Sequence, residues 1–189
     1  MLLPQVLYET LLADYSNHQD AIDLLRRYRP YFELIPSLRR SSDSVLSLPL
    51  PVVKVVHPTD RSISHQQLSC DIALLMCDPE WKIKTGHEIF IFIHRPEEDF
   101  SSLLNRWRQI EVMVGQDYFW MLPWKHRQIV NDKGELQFPL FVTMSYTPER
   151  IKRGLTGAGL PFVDVKTPEL PIAIPSDDIP PEPLTEEQT

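Results

Sequence analysis

The pattern of apolar and polar positions sets the outline. Leu3, Leu7 and Leu11 recur at helical spacing behind Pro4, which suits a first helical position, so residues 4–15 are read as a helix. Ser16 and Gln19 have the spacing of a capping box for a second helix, in which Ala21, Leu24, Leu25 and Tyr28 line one stripe. Pro30 and Pro36 bracket a short helical turn, Tyr31 to Ile35. Residues 37–51, rich in Ser and Pro, read as a loop. Val52 to Val56 reads as a strand ended by His57-Pro58. Two apolar runs follow, Ile72 to Met76 and Ile89 to Ile93. Periodicity does not separate strand from helix in the first run, where Ser62 or Ser64 could cap a helix. The stop at Asp78-Pro79 and the likeness of the second run favour a strand. The second run is β-branched and aromatic throughout, which predicts a strand buried on both faces and covered by helices.

Residues 97–114 give the clearest helix. Phe100, Leu103, Leu104, Trp107, Ile110 and Val114 form the stripe, acids 97–99 suit the positive end of its dipole, and Gly115 stops it. Ile129-Val130, the turn Asn131 to Gly134, and Leu136 to Met144 are read as a β-hairpin, with Pro139 marking an edge strand or a bulge. Thr147-Pro148-Glu149 opens a short helix ending at Gly154, and Phe162 to Val165 is a last strand. The expected fold class is therefore α+β. It comprises two N-terminal helices, a mixed sheet built around residues 88–94, and the 97–114 helix packed on it.

Composition refines this picture at the C-terminal end. The chain has 189 residues, a net charge of −7, 18 prolines and 6 glycines. Six prolines and six acids, with no Lys or Arg, fall within residues 167–189, so residues 1–166 are almost neutral. Proline removes backbone donors, and like charges extend a chain, so residues 167–189 are expected to be a disordered or polyproline-like acidic tail. Residues 1–166 are expected to form one globular domain. Leu170 to Pro175 is apolar and gives part of the tail a means of packing on that domain. Asp177-Asp178-Ile179-Pro180 resembles the acidic tip of bacterial single-stranded-DNA-binding proteins, but that tip carries a final Phe, and here Pro181 follows.

No apolar run is long enough for a membrane helix, and Met1-Leu2-Leu3-Pro4 lacks the basic start of a secretory signal. Cys70 and Cys77 lie in apolar sequence and are read as buried thiols. A cytoplasmic protein is the resulting expectation.

Candidate chemistry is sparse. Asp71 followed by Glu80-Trp81-Lys82 resembles the pattern of the PD-(D/E)xK nucleases, in which two carboxylates hold Mg²⁺ and a Lys helps to activate water. On that resemblance Asp71, Glu80 and Lys82 would be catalytic, and Mg²⁺ the cofactor. Glu80 follows Pro79 and falls in a loop, whereas the superfamily places the motif inside a strand. Glu88 begins the good strand, with Phe90 where the Lys should stand. His57, His65, Cys70, Cys77, His87 and His94 share one region but lack zinc-ligand spacing, so no metal site is expected. Gly154, Gly157 and Gly159 lie beside Lys152 and Arg153, yet this loop leaves a helix C-terminus, the wrong end for a phosphate.

Tyr118, Phe119, Trp120 and Trp124 precede or adjoin Lys125-His126-Arg127. Such rings serve as core, as interface anchors or as base-stacking platforms. The functional expectation is a non-catalytic binding or assembly protein. It would use Tyr118, Phe119, Trp120 and Trp124 and the acidic tail to hold another protein, and it needs no cofactor. The alternatives are the Mg²⁺ nuclease and a non-specific nucleic-acid binder, the latter disfavoured by the neutral charge of residues 1–166.

Overall fold

A computed structural model describes residues 4–35 and 44–166. The expected tail, residues 167–189, and the first part of the expected Ser/Pro loop lie outside the described residues.

Three helices come first: α1 (Pro4–Asp14), α2 (His18–Arg27) and α3 (Arg29–Leu34). The cap of α2 is Asn17, whose side chain accepts from the Gln19 amide, not Ser16, which instead donates its hydroxyl to the Leu12 carbonyl. Strands β1 (Ser44–Pro49), β2 (Val52–Val56), β3 (Ile63–Gln67), β4 (Ile72–Cys77) and β5 (Lys84–Ile93) follow. Helix α4 (Phe100–Val114) leads to β6 (Asp117–Trp120) and β7 (Leu136–Thr143). Helix α5 (Glu149–Gly157) and β8 (Phe162–Asp164) complete the order. The Asp99 side chain caps α4 by accepting from the Ser102 amide.

Two sheets form, of order β1-β4-β5-β7-β8 and β3-β2-β6. The larger one is mixed. β1 and β4 are antiparallel neighbours, β4 is antiparallel to β5, and β7 and β8 run parallel to β5 and β7 respectively. β5 is central and fully buried from Glu88 to Ile93, as its unbroken apolar run predicts. Ile89, Ile91 and Ile93 pack under α1–α3 on one face, while Phe90 and Phe92 pack under α4, α5 and the smaller sheet on the other. The α+β class and the mixed sheet around residues 88–94 are thus present.

Three further local expectations are corrected, and one strand is added. The loop at 37–51 contains β1, whose Ser and Pro positions conceal a buried pattern against β4. β3 is a strand that the hydrophobic pattern does not announce, because nearly all of it faces solvent at a sheet edge. There is no hairpin at 129–144. Residues 136–143 pair in parallel with the second edge of β5, while Phe119 of β6 bridges Asp132. A strand apolar on both faces needs a partner on each edge, and α4 supplies the crossover that a parallel partner requires. α5 continues through Gly154 to Gly157, because Gly154 is packed rather than terminal: a Cβ there would stand 2.9 Å from the Phe100 ring.

Pro139 lies inside β7 beside a stretch that β8 does not reach, since β8 pairs only with residues 141–143. Its carbonyl accepts from the Tyr31 hydroxyl, so the missing N–H leaves no gap in the ladder.

Candidate functional site

Two fully buried carboxylates organise the polar interior. Glu88 shares the parity of Phe90 and Phe92, so it points from β5 toward the smaller sheet. Its Oε1 accepts from Lys84 Nζ at 2.8 Å, Trp120 Nε1 at 2.5 Å and the Gly134 amide at 2.6 Å. Its Oε2 accepts from the Tyr118 hydroxyl at 2.5 Å and from Gln137 Nε2 at 3.5 Å. Lys84 also donates to the Asp132 carbonyl. Burial, reinforced by the Glu88 carboxylate, pushes the Tyr118 phenol far above its ordinary pKa, so it remains a donor. Tyr118 and Trp120 are alternate positions of one strand. Their shared bond to Glu88 therefore fixes β6, and with it the outward position Phe119 between them.

Asp71 stands just before β4. Its Oδ1 accepts from the Tyr8 hydroxyl at 2.8 Å and Arg95 Nη2 at 2.9 Å, and its Oδ2 accepts from Arg106 Nη2 at 2.5 Å and the Ile93 amide at 2.7 Å. Arg106 also reaches the carbonyls of Ser69 and Ile93 and the Glu98 carboxylate. The Tyr8 phenol is pushed up to about 12, by burial and then by the Asp71 charge. Nearby, His94 Nε2 donates to the Glu98 carbonyl at 3.0 Å, so this nitrogen carries the proton. Thr147 Oγ1 takes the Met144 amide and turns its own hydroxyl toward His94 Nδ1. Burial holds the His94 pKa below its ordinary value. Helices α1 and α4 and the end of β5 are tied together here.

The residues of the nuclease resemblance are not brought together. Asp71 is buried and bonded to four donors. Glu80 and Lys82 form an exposed ion pair in the β4–β5 turn, where Asp78 accepts the Lys82 and Ile83 amides. The length of β4, about 20 Å, separates them from Asp71. Among the described residues no three His, Cys, Asp or Glu side chains group to hold a metal ion. Cys70 and Cys77 are free and buried. The Gly157–Gly159 loop leaves the C-terminus of α5.

The four ring residues split into two pairs. Tyr118 and Trp120 are each 1% exposed and belong to the core, so the surface role expected of them is corrected: their side chains are committed to Glu88. Phe119 is 36% and Trp124 78% exposed. The ladder places Phe119 opposite Lys54, on a face of the smaller sheet that carries no covering layer among the described residues. By the same register that face presents Val52 and Val56 of β2, Ile63 and His65 of β3, and Met121 beyond β6. Ile63 and Met121 are exposed and the two valines half-buried. Arg127 adjoins it, lining a hollow with Lys54 and Met121.

Sequence reasoning missed the partners of both carboxylates, although a signal was present. Arg106 falls in register with Leu103, Ile110 and Met113 on the buried stripe of α4, and a charge in a core stripe demands a buried counter-charge. Glu88, in phase with Phe90 and Phe92, is the same kind of signal. Ile63, on a strand that the pattern hides, had none.

No protein family, curated protein or solved structure matches this chain. Among the described residues no helix is long and apolar enough to cross a membrane.

Proposed function

We propose that this chain is a non-catalytic binding or assembly protein that holds another protein through the open face of its smaller sheet and through Trp124, three residues beyond Met121 in sequence. The acidic, proline-rich residues 167–189 provide a further contact. The reading is carried by one observation: large apolar side chains (Ile63, Phe119, Met121, Trp124) stand exposed about a strand locked from beneath by Glu88. Isolated exposed apolar residues are ordinary, but several on one sheet face with a rigid support have the make-up of an interface core. Lys54 stands at the centre of this face, between His65 and Phe119, and Arg127 lies beside it, so the partner's complementary surface is apolar with an acidic group facing Lys54. A cytosolic setting belongs to the reading, in keeping with two free buried thiols.

The test uses a photo-crosslinking residue at position 119 or 124, with position 112, exposed on α4, as the control. A partner captured from 119 and 124 but not from 112 is then purified. Phe119→Ser or Trp124→Ala is expected to weaken its binding about tenfold or more, as for an interface anchor. Equal capture at all three positions, or affinity untouched by both substitutions, overturns the reading.

A second reading follows from the cations beside Trp124. Lys125 and Arg127, close in sequence to the exposed Trp124 ring, make a platform for single-stranded nucleic acid. It predicts oligonucleotide binding that collapses as salt rises and is lost in Trp124→Ala.

A further inference from the structure

A groove runs past the end of β1. One part, a hollow of about 490 Å³, lies between the start of α2 at Asn17 and His18, Ser47 of β1, Trp81 of the β4–β5 turn, and Lys125 and His126. A second, more apolar hollow of about the same size shares Ser47, Pro49 and Pro123 with the first and continues past Leu50 to Met121. Trp81 is held between two histidines, with ring centroids 5.1 Å from His18 and 5.9 Å from His126. The groove therefore offers an indole, imidazoles and prolines along its length, and one cation, Lys125.

The described chain ends at a depression whose lining adjoins that of the groove in sequence. Val165 and Lys166, where the described residues end, line a depression with Tyr15, Arg27 and the acids Asp14, Asp20 and Asp23. Tyr15 is followed directly by Ser16, which lines the groove. Leu170 lies four residues beyond Lys166, a reach of at most about 14 Å. There begins Leu170-Pro171-Ile172-Ala173-Ile174-Pro175, preceded by Glu169 and followed by Asp177-Asp178. An apolar, proline-bearing stretch followed by acids matches a groove of rings and prolines with Lys125 in its lining. Prolines also lower the entropy lost when an extended segment is laid down.

We infer that residues 170–175 of this same chain occupy the groove, with Asp177 and Asp178 directed at Lys125. The acids beyond Pro180 are then left for other contacts. This assignment does not rest on the proposed function, since the groove can be filled whether or not the face around Phe119 binds a partner.

The test compares the full-length chain with its Ile172→Asp/Ile174→Asp variant by ¹⁵N NMR. Both substitutions lie outside the described fold. The Trp81 indole N–H and the amides of Ser16 and Ser47 are expected to shift, while the Trp107 indole and the β5 amides stay in place. A peptide of residues 167–180, added to the variant, is expected to return the shifted resonances toward their positions in the unmodified chain. Identical spectra at Trp81, Ser16 and Ser47 overturn the proposal. So does a shift that grows with protein concentration, because the occupant is then a second copy's segment, and so does a peptide that moves nothing in the variant.

Discussion

Glu88 and Asp71 are carboxylates of equal burial toward opposite ends of the β4–β5 pair, and the protein neutralises them by different means. Glu88 has one cation, Lys84, whose side chain is 3% exposed, and completes its shell with neutral donors from rings, an amide and the backbone. Asp71 has two guanidinium partners, Arg106 at 9% and Arg95 at 44% side-chain exposure. The first centre is closed and joins sheet to sheet. The second has one member in water and joins helices to the end of a sheet. An ion pair's contribution depends on what its partner does when alone. A buried partner keeps an uncompensated charge, whereas an exposed one is hydrated.

The sharpest way to break the comparison is to remove Glu88. Glu88→Ala strands Lys84 and two ring donors in the core and is expected to cost about 3–5 kcal/mol in urea unfolding. A loss below about 1 kcal/mol means that the centre is solvated after all. At Asp71 the two arginines should diverge. Arg106→Ala is expected to cost about 3 kcal/mol, since it leaves buried Asp71 and Glu98 short of their shared cation, and Arg95→Ala less than about 1 kcal/mol. Equal losses would erase the distinction between closed and open partners. The phenols fall below Arg106. Tyr118→Phe should cost about 1–2 kcal/mol, and Tyr8→Phe about 0.5–1 kcal/mol, because the Tyr8 ring is only half-buried.

The mildest probe is pH, and it separates the two ends by the histidine near Asp71. His94 has its folded-state pKa lowered by burial, so below its ordinary value of 6.5 the unfolded chain takes a proton that the folded chain refuses. Stability is therefore expected to be full above 6.5 and to decline as pH falls through 6.5 toward the depressed value. His126 has the same sign. Urea midpoints at pH 7.5 and 5.5 check this, with His94→Gln expected to flatten the dependence.

Much of the fold was legible where pattern and packing agree. The Ile89–Ile93 run, the α4 stripe and the α1–α2 stripes each expose their partners' geometry in one dimension. The failures lie at edges and crossovers. β3 buries almost nothing, so hydrophobicity carries no trace of it. β1 carries serines at Ser44 and Ser47, one of which bonds the Tyr15 carbonyl, so its polar positions have structural work that looks like loop chemistry. The parallel course of β7 depends on which edge of β5 stands free, a fact of the assembled sheet rather than of residues 129–144. Among site residues, the ring cluster was visible as a unit. Its division between core and surface required the strand parity of β6, which only pairing with β2 establishes.

Cys70 and Cys77 bracket β4, one next to Asp71 and the other paired with Lys84. Burial pushes both thiols up, that of Cys77 to about 11 and that of Cys70 higher still, so neither forms appreciable thiolate while its surroundings are closed. A thiol reagent can then act only during excursions that open the local structure, and its rate at each sulfur counts those excursions. The unmodified sequence thus carries two independent clocks, one for the end held by two arginines and one for the end held by a lysine, and they can be read in the same sample without introducing a label.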